Sequence, residues 1–394
     1  MKLTYTHTKV ACYFGFVTQA IVNNFAPLLF ITFTTEFDMT LSQITPLVSI
    51  NFAVQLLVDL LCAKFADKLG YRACMVTAHI CAAAGLAGLS FLPELFGSPF
   101  VGILIPMVLY AVGGGLLEVL CSPIVEALPS EHKEASMSVL HAFYSWGHLA
   151  VILFSTLFFS FAGIANWRYL ACIWAVVPAL NAVAFAKVPI LRTVEEAKSM
   201  KVPELLRSGL FWMLIIVMLC AGASEMSMAQ WVSAFTEAGL KVDKTLGDLA
   251  GGCIFAALMS VSRMLNAGLS RKFPRMGYMA VCGGLCVCGY LLAALSPTPV
   301  PAFIGCALCG LSCGVFWPGT FSLAARIYPA GGTALFAFLA LAGDLGCSSG
   351  PGVVGLVSGI FGDRLQSGLL AVAVFPAVLV ISVILLLRAE KRKT

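Results

Sequence analysis

Long apolar runs alternate with short polar breaks along the chain, and each run is long enough for a helix that crosses a bilayer, which takes about 20 apolar residues. The pattern predicts twelve such helices, near residues 10–34, 42–64, 72–93, 99–124, 136–162, 167–188, 209–236, 245–269, 277–296, 300–327, 332–360 and 366–388. The stretch PILRTVEEAKSMKVPELLRS, from Pro189 to Ser208, is too charged to insert and divides the runs into two sets of six. The expected plan is a six-helix bundle over residues 1–188, an interdomain linker over 189–208 and a second six-helix bundle over 209–394 that ends in a short basic tail. The fold class is an all-α polytopic membrane protein.

Composition excludes a soluble domain: 60% of the 394 residues are hydrophobic and only 11% are charged, and the mean hydropathy is +0.96. Charge sets the orientation, because Lys and Arg accumulate on the cytoplasmic side. With both termini inside, nineteen of the 24 Lys and Arg residues fall in inner segments or at inner helix ends. Four (Arg168, Lys241, Lys244 and Arg364) fall outside, and Arg263 lies within a helix. This asymmetry predicts a multi-pass protein of the plasma membrane, the inner membrane of a bacterium, with both termini cytoplasmic. The net charge of +5 is accounted for by this pattern and implies no nucleic-acid partner. The first apolar segment is too long for the core of a cleavable signal and carries Gln19, Asn23 and Asn24, so it is expected to stay in the mature protein. The fifteen cysteines are scattered through the spans, where Cys acts as a small apolar residue. Cys306, Cys309 and Cys313 have ligand-like spacing but no His or acid close in sequence, so neither a metal nor a cofactor is expected.

Polar residues inside the spans are the candidates for function. Glu118 lies in GGGLLEVLCSP, a segment otherwise built for hydrocarbon. An ionisable group there costs about 2.5–3.5 kcal/mol on insertion scales, so it either works in transport or, as a neutral hydrogen-bonded acid, ties helices together. Gln19 and Asn23 share one face of the first span, with Asn24 beside them; Asn51, Gln55 and Asp59 form a similar stripe on the second. These amides either line a cavity or join helices. His141 and His148, seven residues apart on the fifth span, form either a proton relay or two buried, hydrogen-bonded imidazoles. In the second half, Glu225 and Asp344 are further acids at membrane depth, and Arg263 is placed to pair with one of the acids.

The loop AKFADKLGYR, Ala63 to Arg72, resembles the signature G-x-x-x-D-R-x-G-R-K/R of the major facilitator superfamily, with Asp67, Lys68, Gly70 and Arg72 in register. Ala63 and Tyr71 depart from it, and AGLSRKFPRM, Ala267 to Met276, is a degenerate echo in the second half. The resemblance implies two six-helix bundles with a substrate site between them, and a gating role for those four loop residues. GLLEVLCSPIV and VLHAFYSWG then resemble the fucose permease branch of sugar/proton symporters. Glu118 falls on the branch's proton-coupling glutamate, His141 on a glutamine, and Ser145 and Gly147 match. Pro27 stands where the branch has a second essential aspartate, so Asp344, slightly ahead of Glu225, is expected to replace it as a proton-coupling acid. GASEMSMAQW resembles the branch in its spacing of Glu225 and Trp231, and FWPG brings Trp317. The expected substrate-binding set is Gln19, Asn23, Asn24, Asn51, Gln55, His141, Tyr144, His148, Glu225, Gln230, Trp231 and Trp317.

The function implied is secondary active transport by alternating access: proton-coupled uptake of a small polar solute such as a hexose or deoxyhexose, by a monomer whose partners are the solute, protons and lipid. The alternative is a proton-coupled antiporter that exports cationic or amphipathic drugs, to which several membrane acids would be attractive. An enzyme is not expected, since no nucleophile-and-base set, H-E-x-x-H spacing or phosphate-cradling glycine loop is present.

Overall fold

The computed structural model describes residues 3–129, 133–191, 202–269, 275–328 and 332–391; the side chains of some helical residues, Asp67 and Lys68 among them, are outside that description. Among the described residues, twelve helices are long and apolar enough to cross a membrane: Tyr5–Glu36, Leu41–Cys62, Tyr71–Leu89, Pro99–Val125, Val139–Ala162, Ile164–Lys187, Gly209–Gly239, Lys244–Leu265, Gly277–Leu295, Pro299–Ile327, Ala337–Ile360 and Leu365–Arg388. They fall into two compact units, Met1–Glu195 and Glu196–Thr394.

Within the first unit the first span packs on the fourth, fifth and sixth, and the third is held between the fourth and sixth. The first span is broken where Pro27 removes a backbone donor: an α-helix over Tyr5–Asn24 tightens to a 3-10 turn over Ala26–Leu29 and resumes over Phe30–Glu36. The third span begins after Gly70, whose φ of 84° lies in the left-handed region that glycine reaches without strain. Beyond this turn, Arg72 donates to the carbonyls of Phe185, Ala186 and Val188 at 2.7–2.9 Å. It thereby satisfies the otherwise orphaned C-terminal carbonyls of the sixth span.

In the second unit the closest pair is the seventh and eleventh spans. The glycines of GDLGCSSGPG make this approach possible, as small residues do in membranes, where close van der Waals contact replaces the hydrophobic drive. A methyl group added at Gly350 would lie 2.6 Å from Ser227 Oγ and 2.7 Å from the Ala223 carbonyl oxygen. Gly350→Ala is therefore expected to cost about 1–3 kcal/mol of overpacking, read as a lowered thermal midpoint in detergent. Gly284→Ala, where a methyl meets nothing within 4 Å, should leave the midpoint unchanged.

Two π-helical turns interrupt the second unit, at Phe235–Gly239 in the seventh span and Asp248–Cys253 in the eighth. They flank an ionic cluster. Lys244 Nζ lies 3.1 Å from Asp248 and 3.7 Å from Glu237, and Ser233 donates to Asp248 at 2.5 Å.

Candidate functional site

The first unit gathers its polar side chains around Asn23. Its Oδ1 accepts from Gln55 Nε2 at 2.8 Å and from Asn51 Nδ2 at 3.4 Å, so the stripe on the second span meets the stripe on the first. Its Nδ2 reaches Tyr144 on the fifth span at 3.5 Å, a long contact. One helical turn away, Gln19 Nε2 donates to Glu118 Oε2 at 2.6 Å, the short distance of a bond to an acid oxygen. Glu118 is half-buried, while Gln19, Asn23, Asn51 and Gln55 are each at most 5% exposed. Gln19 Oε1, Asn51 Oδ1 and Gln55 Oε1 are buried acceptors with no donor among the described residues. An unsatisfied buried acceptor costs about 1–3 kcal/mol, so these three, in the same unit as Glu118 and Asp59, whose carboxylate oxygens approach within 4.8 Å, form a site suited to hydroxyl or amide donors.

Other expected members stand apart. Asn24 turns back onto its own helix and donates to the Ala20 carbonyl. His141 is exposed and meets Phe16 edge-on at 5.3 Å, whereas His148 is buried. A shared relay therefore has two unlike environments to join. Arg72, expected in gating, is committed to the helix-capping bonds described above; Asp67 and Lys68 lie outside the residues whose side chains are described.

In the second unit, Arg263 on the eighth span forms an ion pair with Glu225 on the seventh, Nη2 to Oε1 2.6 Å, with 18% and 5% of the two side chains exposed. Asp344, 7% exposed, lies on the eleventh span, and Gln230 is buried on the seventh. The two tryptophans separate. Trp317 is half-buried, but Trp231 is fully buried and its indole N–H donates to the Pro351 carbonyl at 3.0 Å. Trp231 thus packs between the seventh and eleventh spans, its ring buried in this structure.

Sequence reasoning passed over two networks. Of the Lys244–Asp248–Glu237 cluster, only Lys244 enters the reading of the sequence, as an outer charge. Buried His79 bonds the Met75 carbonyl through Nδ1 and Asn181 Nδ2 through Nε2, both at 2.7 Å. Since a carbonyl only accepts, Nδ1 carries the proton and Nε2 accepts from Asn181. Asn181 also donates to the Ala11 carbonyl, so this network joins the third, sixth and first spans. All fifteen cysteines are free; Cys306, Cys309 and Cys313 are fully buried, and the Cys286 and Cys313 sulfurs lie 3.8 Å apart.

Twelve apolar helices among the described residues, with an acid and amides in one unit and an acid–guanidinium pair in the other, define an integral membrane protein. A family model of the Major Facilitator Superfamily matches residues 11–351. The chain belongs to that superfamily and is a transporter, not an enzyme. No curated protein matches the sequence. Among solved structures it is similar to a bacterial homologue of the human lysosomal transporter Spinster, in an inward-facing and occupied conformation. That similarity has a TM-score of 0.79 at 16% identity, over 98% of this chain and 97% of the other. It is also similar to the E. coli fucose:proton symporter FucP, with a TM-score of 0.66 at 17% identity, over 95% and 97%. At these identities the likeness is one of fold.

Proposed function

We propose that the protein takes up a small polar solute, such as a hexose or deoxyhexose, together with protons by alternating access, and that Glu118 carries the proton. The observation that carries this reading is the Gln19–Glu118 hydrogen bond beside an amide cluster with spare buried acceptors. Hydroxyl groups of a sugar or polyol supply the donors those acceptors lack, and protonation of Glu118 removes the charge that resists movement of the bundle. Amides bind polyols by short-range hydrogen bonds that discriminate strongly when left unpaired. Trp317 is the aromatic surface we assign to the apolar face of the solute. The drug-export alternative loses one of its acids, because Glu225 already has a cation at 2.6 Å.

The reading includes a monomer in the plasma membrane, the inner membrane of a bacterium, with both termini cytoplasmic. It takes residues 1–188 and 209–394 as the moving bundles and 189–208 as their linker, of which 192–201 lie outside the described residues. The asymmetry of Lys and Arg supports the orientation. Asp67, Lys68 and Gly70 are assigned to the gate at the turn before the third span. The test is a panel of radiolabelled hexoses, deoxyhexoses, nucleosides and cationic dyes offered to proteoliposomes under an imposed inward proton gradient. A sugar or polyol should accumulate and the accumulation should collapse with a protonophore. Gradient-driven expulsion of the dyes, with every sugar ignored, would replace this reading by the export alternative.

A further inference from the structure

At one end of the second unit, a cavity of about 330 Å³ is framed by the ends of four spans: Gly239 closing the seventh with Lys241 just beyond it, Leu295 closing the ninth, Pro299 opening the tenth, and Arg364 and Gln366 at the start of the twelfth. Its volume lies at the lower end of the ~300–1,000 Å³ range of small-molecule sites. The wall is built, not incidental. The π-helical turn at Phe235–Gly239 closes with Leu240 N–H donating to the Phe235 carbonyl at 3.0 Å, and Lys241 follows at a φ of 55°. Gln366 Nε2 donates to the Gly239 carbonyl at 2.7 Å, fastening the twelfth span to that turn.

Two cations, Lys241 and Arg364, therefore share one cavity, and the side chain of neither forms an ion pair or hydrogen bond among the described residues. Asp243, two residues beyond Lys241, caps the following helix, its Oδ2 accepting from the backbone N–H groups of Thr245 and Leu246. Guanidinium and ammonium groups are the protein's usual partners for phosphate oxygens, the first by paired hydrogen bonds and the second as a point charge. The surroundings are those of a membrane interface. Leu295 on the wall and Val300, next to Pro299, are both exposed apolar side chains at the ends of membrane spans.

We propose that this cavity binds a phosphate-bearing anion through Lys241 and Arg364, with the headgroup of an anionic phospholipid as the source that the exposed Leu295 and Val300 favour. The site lies wholly within the second unit and is independent of the transported solute.

The full chain in detergent is offered equal amounts of phosphatidylglycerol and phosphatidylcholine, and bound lipids are counted by native mass spectrometry. Wild type should retain phosphatidylglycerol preferentially. Lys241→Gln combined with Arg364→Gln should reduce that preference on the order of thirtyfold, as expected for two interfacial cations. The charge-preserving exchange, Lys241→Arg with Arg364→Lys, should keep it, and Lys187→Gln serves as a cation control elsewhere on the surface. In a second arm, inorganic phosphate is titrated against thermal unfolding. Stabilisation of wild type but not of the double variant, without lipid preference, assigns the same site to the free anion. If wild type and double variant behave alike in both arms, the proposal is overturned.

Discussion

Glu118→Gln is expected to abolish uphill accumulation of solute while leaving exchange of solute across the membrane intact. The substitution keeps the shape of the side chain, and its amide oxygen still accepts from Gln19 Nε2, the 2.6 Å contact that orients the group. What it removes is the capacity to take up and release a proton. With one proton moved per solute, each pH unit across the membrane supports about tenfold accumulation, since one unit is worth 1.36 kcal/mol. The variant should bring that ratio to about one, while counterflow of labelled for unlabelled solute continues. Accumulation by Glu118→Gln at the wild-type level would assign the proton to another group and leave the Gln19 bond as a tie between helices.

Much of the fold was legible in the sequence, because a membrane span is specified by a run of apolar residues long enough to cross hydrocarbon. The interruptions were less legible. The first span reads as one run over residues 10–34, yet it tightens into a 3-10 turn at Pro27. The π-helical turns at Phe235–Gly239 and Asp248–Cys253 lie in segments that read as continuous helix; of the ionic cluster around Lys244, the pair with Asp248 is a local four-residue step, and the hydrogen bond from Ser233 ties it to the seventh span. The candidate site divides in the same way. Four-residue spacing placed Asn51 and Gln55 on one face of the second span, and that face meets Asn23. Periodicity says nothing of partners far apart in sequence, so Gln19 with Glu118, and the choice of Glu225 by Arg263, waited for the structure. Trp231 shows another limit of spacing: it suggested a stacking ring, and said nothing of the indole N–H that bonds the Pro351 carbonyl on the eleventh span.

Arg263→Gln is expected to destabilise the protein by about 3–5 kcal/mol, the usual cost of removing one partner of a buried ion pair. The reason is the carboxylate left behind: Glu225 is 4% exposed, and its Oε2 has no hydrogen-bond partner among the described residues, so the contact from Arg263 to Oε1 is its main compensation. The thermal midpoint in detergent should fall on the order of 10 °C. Combining Arg263→Gln with Glu225→Gln should recover most of that loss, since two neutral amides leave no uncompensated charge. The same logic separates the two acids proposed to replace the aspartate missing at Pro27. Glu225 has its countercharge within its own unit, and we propose that it anchors the seventh span to the eighth while Asp344 is the second coupling acid. Asp344→Asn should therefore change the pH dependence of proton-driven transport in a well-folded protein. Glu225→Gln with Arg263→Gln should alter stability and leave that dependence as in wild type. A shifted pH profile in the double variant, with an unchanged profile in Asp344→Asn, would reverse the two assignments; unchanged profiles in both would leave Glu118 as the sole coupling acid.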